Sequence, residues 1–292
     1  MSSHDVVYRV RRATGEGRVG HAGTLDPAAS GVLVVGIGQG ARLLGLLTLE
    51  TKAYVASIRF GAETDTDDAE GAVTRTAAVP EELVSQEFAE RAVAGLVGEF
   101  DQLPPAYSAI SVNGRRAYEA ARAGEELELA PRRVKVLEAQ LLGVQEVEGA
   151  PEWLVALTVS KGCYVRSIAR DLGRSLGTAA HLVQLTRTAS GCVGLGECVF
   201  LEELAEGGKE LVLERALDPV RLLGLPARVI SEREATDVAH GKRIPLGVLE
   251  SLPEGADACL VREGGLVGIW HRSGQDLVCT KNFPTPIKGA NA

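Results

Sequence analysis

An aspartate framed by glycines and a proline is the first candidate for chemistry in this chain. It lies in GHAGTLDPAASG, residues 20–31, where Asp26 precedes Pro27. An Asp-Pro pair is typical of the start of a helix or turn, because the carboxylate accepts from free backbone N–H groups and proline suits the first turn. Gly23 and Gly31, however, permit positive φ and a close approach of other atoms. A structural cap and a carboxylate presented to a substrate are both open at this point.

A second candidate stretch, KGCYVRSIARDLG, places a tyrosine and an arginine two residues apart. On a strand, Tyr164 and Arg166 share one face, and together they could hold a carboxylate, although a structural ion pair is the commoner explanation for such an arginine. Tyr54 is predicted on a strand over 52–61, where ordinary sheet packing is the simpler interpretation. Cys163 is expected to be a small buried residue rather than a nucleophile, since no histidine is near it in sequence.

A weak dinucleotide-binding pattern is also present. Gly36-x-Gly38-x-x-Ala41 follows an apolar run, and Glu63 lies about where a ribose-binding carboxylate is expected. Glu63 falls in an acidic turn, however, and no clear second βαβ unit follows. A nicotinamide-dependent dehydrogenase is therefore the weakest candidate function.

Length and composition bound the class of protein. With 292 residues, 45% of them hydrophobic and 24% charged, the chain is predicted to form about two globular domains. We expect no membrane span, because Gln39 and Arg42 interrupt the most apolar stretch, and no signal peptide, so we predict a cytoplasmic protein. The five cysteines contain no C-x-x-C pair and the five histidines are scattered. Neither a disulfide framework nor a metal site is predicted.

Charge is distributed unevenly along the chain. The net charge is −8, and residues 62–90 carry nine acidic residues against one arginine, while 202–218 are also acidic. Two segments are basic instead, 9–18 with four arginines against one glutamate and 161–187 with five basic residues against one aspartate. This distribution predicts one acidic face and one basic face that binds nucleic acid, against the simpler alternative of a mixed solvated surface.

The elements that must position these residues are predicted as an interleaved α+β chain. Hydrophobic periodicity and turn residues predict strands, helices, a hairpin and a small C-terminal β-domain. The strands are 32–38, 52–61, 132–145 and 153–165; the helices are 80–98, 118–124 and 166–177; the hairpin over 104–118 turns at Asn113-Gly114; and the β-domain begins at 226.

Taken together, the motifs resemble those of one family. GHAGTLDPAASG, TKAYVAS, SKGCYVRSIARDLG and HLVQLTRTASG match, in order and spacing, the motifs of the TruB family of tRNA pseudouridine synthases, and PPAYSAISVNGRRAYEAARAG resembles a further family stretch. The resemblance covers nearly the whole chain. It implies an α+β pseudouridine synthase fold, with a large mixed β-sheet flanked by helices as the catalytic domain over 1–225. It further implies a small PUA-like, RNA-binding β-barrel over 226–292.

The resemblance also implies roles for individual residues and displaces the purely structural interpretation of Asp26. Asp26 corresponds to the essential carboxylate, and Tyr54 to the tyrosine that stacks on the target base. Tyr164 and Arg166 correspond to the residues that contact and pair that aspartate. Leu185 corresponds to the apolar wall of the pocket. Whether Asp26 acts as nucleophile or as base stays open.

RNA contacts and partners are implied in the same way. His21 matches a histidine that fills the gap left by the flipped nucleotide, and Arg42 and Arg187 are expected to bind RNA. The implied partner is the T-arm of tRNA, whose T-loop uridine becomes pseudouridine 55. No metal, no organic cofactor and no obligatory protein partner are implied, and we expect a monomer.

Two other functions and two departures from the family pattern remain. A non-catalytic RNA-binding module and a guide-RNA-dependent relative of the dyskerin type would share some of these features. Where many relatives have two arginines, this chain has Thr186-Arg187, so one backbone contact is expected to be weaker. The family usually opens with a strand and a Lys-Pro-x-Gly element that does not precede Ser3-His4-Asp5 here. We therefore expect translation to begin upstream of Met1.

Overall fold

The computed structural model describes residues 1–48, 51–108, 110–112, 114–123, 125 and 127–291, without the side chains of 112, 116 and 122. The chain divides into two compact units, each built from separated segments. Unit 1 comprises Met1–Thr24, Leu33–Leu49 and Gly191–Ala292, and unit 2 comprises Leu25–Val32 and Glu50–Ser190. None of the helices in the described ranges is long and apolar enough to span a bilayer. The domain boundary between 225 and 226 stays a prediction.

Helices and strands alternate along the chain. The helices are α1 (Ser3–Thr14), α2 (Leu44–Leu47), α3 (Gln86–Ala94), α4 (Ala117–Arg122), α5 (Val165–Ser175), α6 (Leu201–Glu214), α7 (Pro219–Leu223) and α8 (Glu232–Ala239). The strands are β1 (Val19–His21), β2 (Ser30–Gly31), β3 (Val35–Ile37), β4 (Lys52–Phe60), β5 (Ala62–Thr64), β6 (Val73–Thr76), β7 (Gly98–Gln102), β8 (Ser111–Val112), β9 (Arg115–Arg116), β10 (Arg132–Val147), β11 (Ala150–Val159), β12 (Ala180–Ser190), β13 (Val193–Gly194), β14 (Ala227–Val229), β15 (Ile244–Pro245), β16 (Asp257–Arg262), β17 (Gly265–Ser273) and β18 (Asp276–Lys288).

Unit 2 is organised around one mixed sheet. Its strands follow the order β12-β4-β11-β10-β7 with antiparallel neighbours, and β2 pairs in parallel with the other side of β12. Strands β4 and β10 lie where alternation predicts them, because apolar side chains on one face enter a single core. The predicted α+β fold with a large mixed sheet is confirmed.

The core of unit 2 is sealed by two helices. Trp153 on β11 is fully buried, lies edge-on to Phe60 with ring centroids 4.6 Å apart, and donates its indole N–H to the Leu83 carbonyl at 2.8 Å. Apolar residues of α3 and α5 pack on the same strands, as Val93 and Ile168 do. Burial of each such large side chain contributes about 1.5–3 kcal/mol, so α5 is held firmly against the sheet.

Unit 1 contains α1 and a C-terminal five-stranded sheet. Helix α1 begins with a capping box between Ser2 and Asp5 and ends at Gly15, whose φ of 69° is left-handed. Its apolar face, including Val7 and Val10, packs with Leu204 of α6. The five-stranded sheet has the order β14-β16-β17-β18-β15, which confirms the predicted C-terminal β-rich part.

Several predicted elements differ from the structure. The 32–38 strand is reduced to β3, because only three residues find a partner, on β1. The 80–98 helix divides into a 3₁₀ turn over Glu81–Val84 and helix α3, and Gly98 already belongs to β7. The 153–165 strand ends at Val159. The hairpin of β8 and β9 is confirmed, although Asn113 of its predicted turn lies outside the described residues.

The dinucleotide-binding pattern has no structural basis. Strand β3 pairs antiparallel with β1 and leads into a 3₁₀ helix, so it does not begin a βαβ unit. Gly36 is required by local packing, since a Cβ there would lie 2.8 Å from the Ala41 Cα. Glu63 is engaged by Arg75 and Arg174, which lower its pKa through hydrogen bonds and charge. The dehydrogenase interpretation is therefore wrong.

Candidate active site

Asp26 lies in a turn rather than at the start of a helix. The Ala29 N–H donates to the Asp26 carbonyl at 2.9 Å, and the chain then enters β2. Gly31 has a φ of 103°, and a Cβ there would lie 2.2 Å from the Arg187 carbonyl oxygen. Gly31 thus allows the backbone of β12 to approach closely. It does not provide space for a ligand beside Asp26. The Asp26 side chain remains 31% exposed, so its carboxylate is accessible.

Arg166, in the first turn of α5, forms an ion pair with the Asp26 carboxylate. Its Nη2 donates to Asp26 Oδ1 at 3.0 Å, and its Nε lies 2.8 Å from Oδ2. The Arg166 side chain is only 7% exposed. A planar fork that meets both oxygens fixes the orientation of the carboxylate as well as its position.

The remaining donors of Arg166 bind backbone carbonyls. Its Nη1 donates to the Thr66 carbonyl at 3.0 Å and its Nη2 to the Tyr107 carbonyl at 3.1 Å. The Asp68 carboxylate adds an ion pair at 3.6 Å. Arg166 is therefore held from two loops while it holds Asp26.

The sequence predicts that Tyr164 and Arg166 share one face of a strand. This prediction is wrong, because β11 ends at Val159. Tyr164 is instead the N-cap residue of α5 and has no side-chain cap. The buried Gln102 side chain holds the backbone of Tyr164 itself: it accepts from the Tyr164 N–H at 2.8 Å and donates to the Tyr164 carbonyl at 3.0 Å. Burial raises the pKa of the Tyr164 hydroxyl. Gln102 therefore fixes the backbone from which Tyr164 and Arg166 project.

Tyr54, Leu185 and Arg187 share one face of the sheet. Tyr54 on β4 is directly opposite Arg187 on β12, and Ala56 is opposite Leu185. Cross-strand partners and residues two apart point to the same side. Leu185 is 7% exposed and packs in the core that Tyr54 borders. Burial raises the pKa of Tyr54, which keeps its hydroxyl protonated.

Arg187 is buried in this structure, with 1% of its surface exposed. Its Nε donates to the Val32 carbonyl at 2.6 Å, and its side chain also hydrogen-bonds to Tyr54. These contacts join β12 to the end of the Asp26 turn. Its assignment to RNA binding stays a prediction.

His21 and Arg42 belong to unit 1. The His21 ring lies edge-on to His4, with centroids 6.2 Å apart. Arg42 donates to the Asn282 carbonyl at 2.6 Å and stacks over Phe283 at 5.1 Å from the ring centroid. Arg42 is thus tied to β18, and the RNA-binding roles of both residues stay predictions.

The acidic and basic segments of unit 2 pair with each other instead of forming separate faces. Arg170 Nη1 meets Asp67 Oδ2 at 2.8 Å, and Arg174 Nη2 meets Glu63 Oε2 at 2.6 Å. The prediction of a basic face over 161–187 is therefore wrong for Arg166, Arg170 and Arg187, which are buried. Arg174 is paired with Glu63 but remains 53% exposed.

Cys163 is half-buried at the edge of the unit 2 core, rather than fully buried as the sequence predicts. Burial raises the pKa of its thiol to about 12, so it stays protonated at neutral pH. Within the described ranges, no group of three or more His, Cys, Asp and Glu side chains is arranged to hold a metal ion.

Sequence reasoning missed several residues that organise the site: Thr66, Asp67, Asp68, Gln102 and Tyr107. Their contacts to α5 join positions 59 to 103 residues apart, which local periodicity does not report. One signal was available. Arginines recur every fourth residue from Arg166 to Arg174, which places them along one side of a helix. The acidic residues over 63–68 are the opposite charges that could pair with them.

Family models match most of the chain. The model described as TruB family pseudouridylate synthase (N terminal domain) matches residues 11–165. The model described as tRNA pseudouridylate synthase B C-terminal domain matches residues 166–223.

Individual relatives agree with these models. The tRNA pseudouridine synthase B of Mycobacterium sp. (strain KMS) is 45% identical over 269 residues, which are 90% of this chain and 89% of the relative. The protein of the same name from Nocardia farcinica (strain IFM 10152) is 42% identical over 276 residues, covering 94% of this chain and 87% of the relative.

Solved structures share the fold. A chain of the archaeal box H/ACA sRNP Nop10-Cbf5 complex superposes with a TM-score of 0.64 at 22% identity, over 97% of this chain and 82% of that one. A chain of a Cbf5-Nop10-Gar1 complex gives 0.65 at 23% identity, over 97% and 81%.

Proposed function

Because the chain belongs to the TruB family and is a tRNA pseudouridine synthase, as its motifs predict, we propose that Asp26 is its essential carboxylate and that it isomerises the T-loop uridine of tRNA to pseudouridine 55. The pseudouridine synthase fold and the PUA-like β14–β18 sheet agree with this assignment. The observation that carries the proposal is the partly exposed Asp26 carboxylate, held at both oxygens by Arg166.

The reaction explains why a carboxylate is needed. When the C1′–N1 bond breaks, its electron pair leaves with uracil N1 and positive charge develops at C1′. An oriented carboxylate stabilises that charge. The uracil then turns, C5 bonds to C1′, and the C5 proton is released. A nucleophilic carboxylate and a proton-abstracting carboxylate both fit this sequence.

The surrounding residues suit a step that water must not intercept. Tyr54 and Leu185 lie on one sheet face and supply an aromatic ring and an apolar wall. A base stacked on the Tyr54 ring is held while it rotates, and water excluded by these side chains cannot capture the charged sugar. Because the target lies in a folded loop, the nucleotide must be extruded before it reaches Asp26.

We propose that the chain acts without a guide RNA or a second protein. The relatives that match it over about nine-tenths of their length carry the name tRNA pseudouridine synthase B. The chains of the ribonucleoprotein structures share the fold at 22–23% identity. At that identity only the fold is shared, and their assembly with other proteins is not inferred for this chain.

Tritium release tests the proposal. Purified protein alone is incubated with an unmodified tRNA transcript labelled at uridine C5, and with the same transcript carrying cytidine at position 55. We expect stoichiometric release from the first and background release from the second. Release from neither would contradict the assignment, and release that requires added guide RNA or protein would support the dyskerin-type alternative.

A further inference from the structure

Three arginines on α5 meet one acidic turn in succession. Arg166, Arg170 and Arg174 lie four residues apart and contact Asp68, Asp67 and Glu63 at 3.6, 2.8 and 2.6 Å. We name residues 63–68 the acidic turn. Spacing by four places the three guanidinium groups along one side of the helix, so the acidic turn runs beside α5 from its last turn to its first turn.

Arg170 is bound at all three guanidinium nitrogens. Its Nη1 donates to Asp67 Oδ2 at 2.8 Å, its Nη2 to the Leu103 carbonyl at 2.9 Å, and its Nε to Asp171 Oδ1 at 2.8 Å. Its side chain is 8% exposed, whereas that of Arg174 is 53% exposed. Arg170 therefore joins α5, the acidic turn and the segment after β7 at one buried point.

Asp67 is fixed by its backbone as well as its side chain. Its φ of 60° is left-handed, which costs energy for a residue other than glycine. The Leu182 N–H donates to the Asp67 carbonyl at 3.0 Å, and the Ala69 N–H donates to the Leu182 carbonyl at 2.9 Å. The acidic turn is thus pinned to β12 on one side and to Arg170 on the other.

The neighbours of Asp67 on either side are the residues that hold Arg166. The Thr66 carbonyl accepts from Arg166 Nη1 at 3.0 Å, and the Asp68 carboxylate lies 3.6 Å from the same atom. We propose that the Asp67–Arg170 ion pair positions the Arg166 guanidinium, and through it the Asp26 carboxylate, for the isomerisation. Asp67 and Arg170 act as positioning residues, because their contacts reach the reacting atoms only through Arg166.

Loss of the pair has a defined consequence. Without the charge on Asp67, the acidic turn keeps its link to β12 and its ion pairs at Glu63 and Asp68. It loses the ion pair next to Thr66, so the Thr66 carbonyl can move relative to Arg166. Misplacement of a catalytic group by about 1 Å costs on the order of 100-fold in rate. A partial shift transmitted through one guanidinium is expected to cost about 10-fold in kcat, with KM within about 2-fold because RNA binding uses other contacts.

This inference rests on the proposed function, so the test has a readout besides turnover. Asp67→Asn tolerates the left-handed φ and removes the charge; Arg170→Gln removes the other partner. The matched control is Arg174→Gln, one helical turn further from Arg166. Steady-state tritium release gives kcat and KM, and ¹⁵N spectra give the Arg166 Nε–Hε signal, assigned with Arg166→Lys.

We expect both variants of the pair to lower kcat about 10-fold and to broaden or shift the Arg166 signal, while Arg174→Gln changes neither. Arg170→Lys, which keeps the charge, should restore part of the rate. Wild-type rates and an unchanged Arg166 signal in Asp67→Asn would overturn the inference. If the wild type makes no pseudouridine but its Arg166 signal still depends on Asp67, the positioning role stands and the proposed function fails.

Discussion

Arg166 and Asp26 meet edge to edge although 140 residues separate them in sequence, with Nη2 at 3.0 Å from Oδ1 and Nε at 2.8 Å from Oδ2. The pair joins the first turn of α5 to the turn before β2. The Arg166 side chain is nearly buried, whereas the Asp26 side chain is partly exposed. Arg166 therefore binds the carboxylate from the protein interior and leaves it accessible to a substrate.

Asp26→Asn should abolish turnover and leave tRNA affinity within a few-fold of wild type. The substitution keeps the size of the side chain and removes the charge that the developing cation needs, whereas phosphate contacts supply most of the affinity. Tritium release and filter binding measure the two quantities. A parallel loss of binding and rate would show that Asp26 is structural.

Arg166→Lys should lower kcat severely, by about 100-fold or more. Lysine keeps the positive charge but cannot meet both Asp26 oxygens and the Thr66 and Tyr107 carbonyls at once. Single-turnover kinetics checks this outcome, with Arg91→Lys on α3 as the exposed control. A rate near that of the wild type would contradict the importance of the two-point pair.

The sequence predicts the parts of unit 2 that depend on local pattern. Strand β4 and strand β10 follow from alternation, and α5 follows from its apolar spacing, because these signals arise within one element. Helix α1 was missed although Ser2 and Asp5 form a capping box; the aspartate at its third position is a less typical partner than glutamate.

The contacts that assemble the site could not be read from local pattern. The apolar run predicts a strand as far as Tyr164, yet β11 ends at Val159 and Tyr164 precedes α5, with its backbone held by Gln102 from 62 residues away in sequence. The charge count of 161–187 likewise predicts a basic face. A charge count alone does not tell which arginines are paired with acidic residues inside the fold. Family resemblance predicts which residues react, and the structure adds what holds them.

Gln102→Leu should destabilise the protein and slow catalysis. It leaves the Tyr164 N–H without its buried acceptor, whereas the Tyr164 carbonyl still accepts from the Ile168 N–H, and an unsatisfied buried group costs about 1–3 kcal/mol. Urea unfolding should therefore show a loss of about 1–3 kcal/mol, with a lower kcat. Gln140→Leu on the exposed edge of β10 is the matched control. Unchanged stability in Gln102→Leu would show that the Tyr164 N–H finds another acceptor.

The salt dependence of tRNA binding should arise from exposed arginines such as those of α1. Arg9 and Arg12 are both exposed, and each phosphate contact contributes about 0.7–0.9 to the slope of log K against log salt. The variant with Arg9→Gln and Arg12→Gln should flatten that slope by about 1.5. Arg91→Gln, already paired with Glu87 on α3, should leave it unchanged, and equal slopes in all three proteins would exclude α1 from the interface.

Asp67 should make stability depend on pH in an unusual direction for an ion-paired aspartate. Burial raises the pKa of this carboxyl to about 6, above its usual 3.8, and Arg170 only partly opposes the shift. The folded state therefore holds a proton that the unfolded state has released between about pH 4 and 6, so this group lowers stability as pH rises through that window.

Comparison of wild type with Asp67→Asn isolates this contribution. The stability of the wild type relative to the variant should fall by up to about 3 kcal/mol between pH 4 and 7, as measured by urea unfolding. A buried ion pair often costs more in desolvation than its attraction returns, and its benefit lies in fixing geometry. A stability difference that instead grows with pH would show that Arg170 stabilises the charged carboxylate outright. The expected fall, together with slower turnover in Asp67→Asn, would mean that the charge on Asp67 aligns Arg166 at the expense of stability.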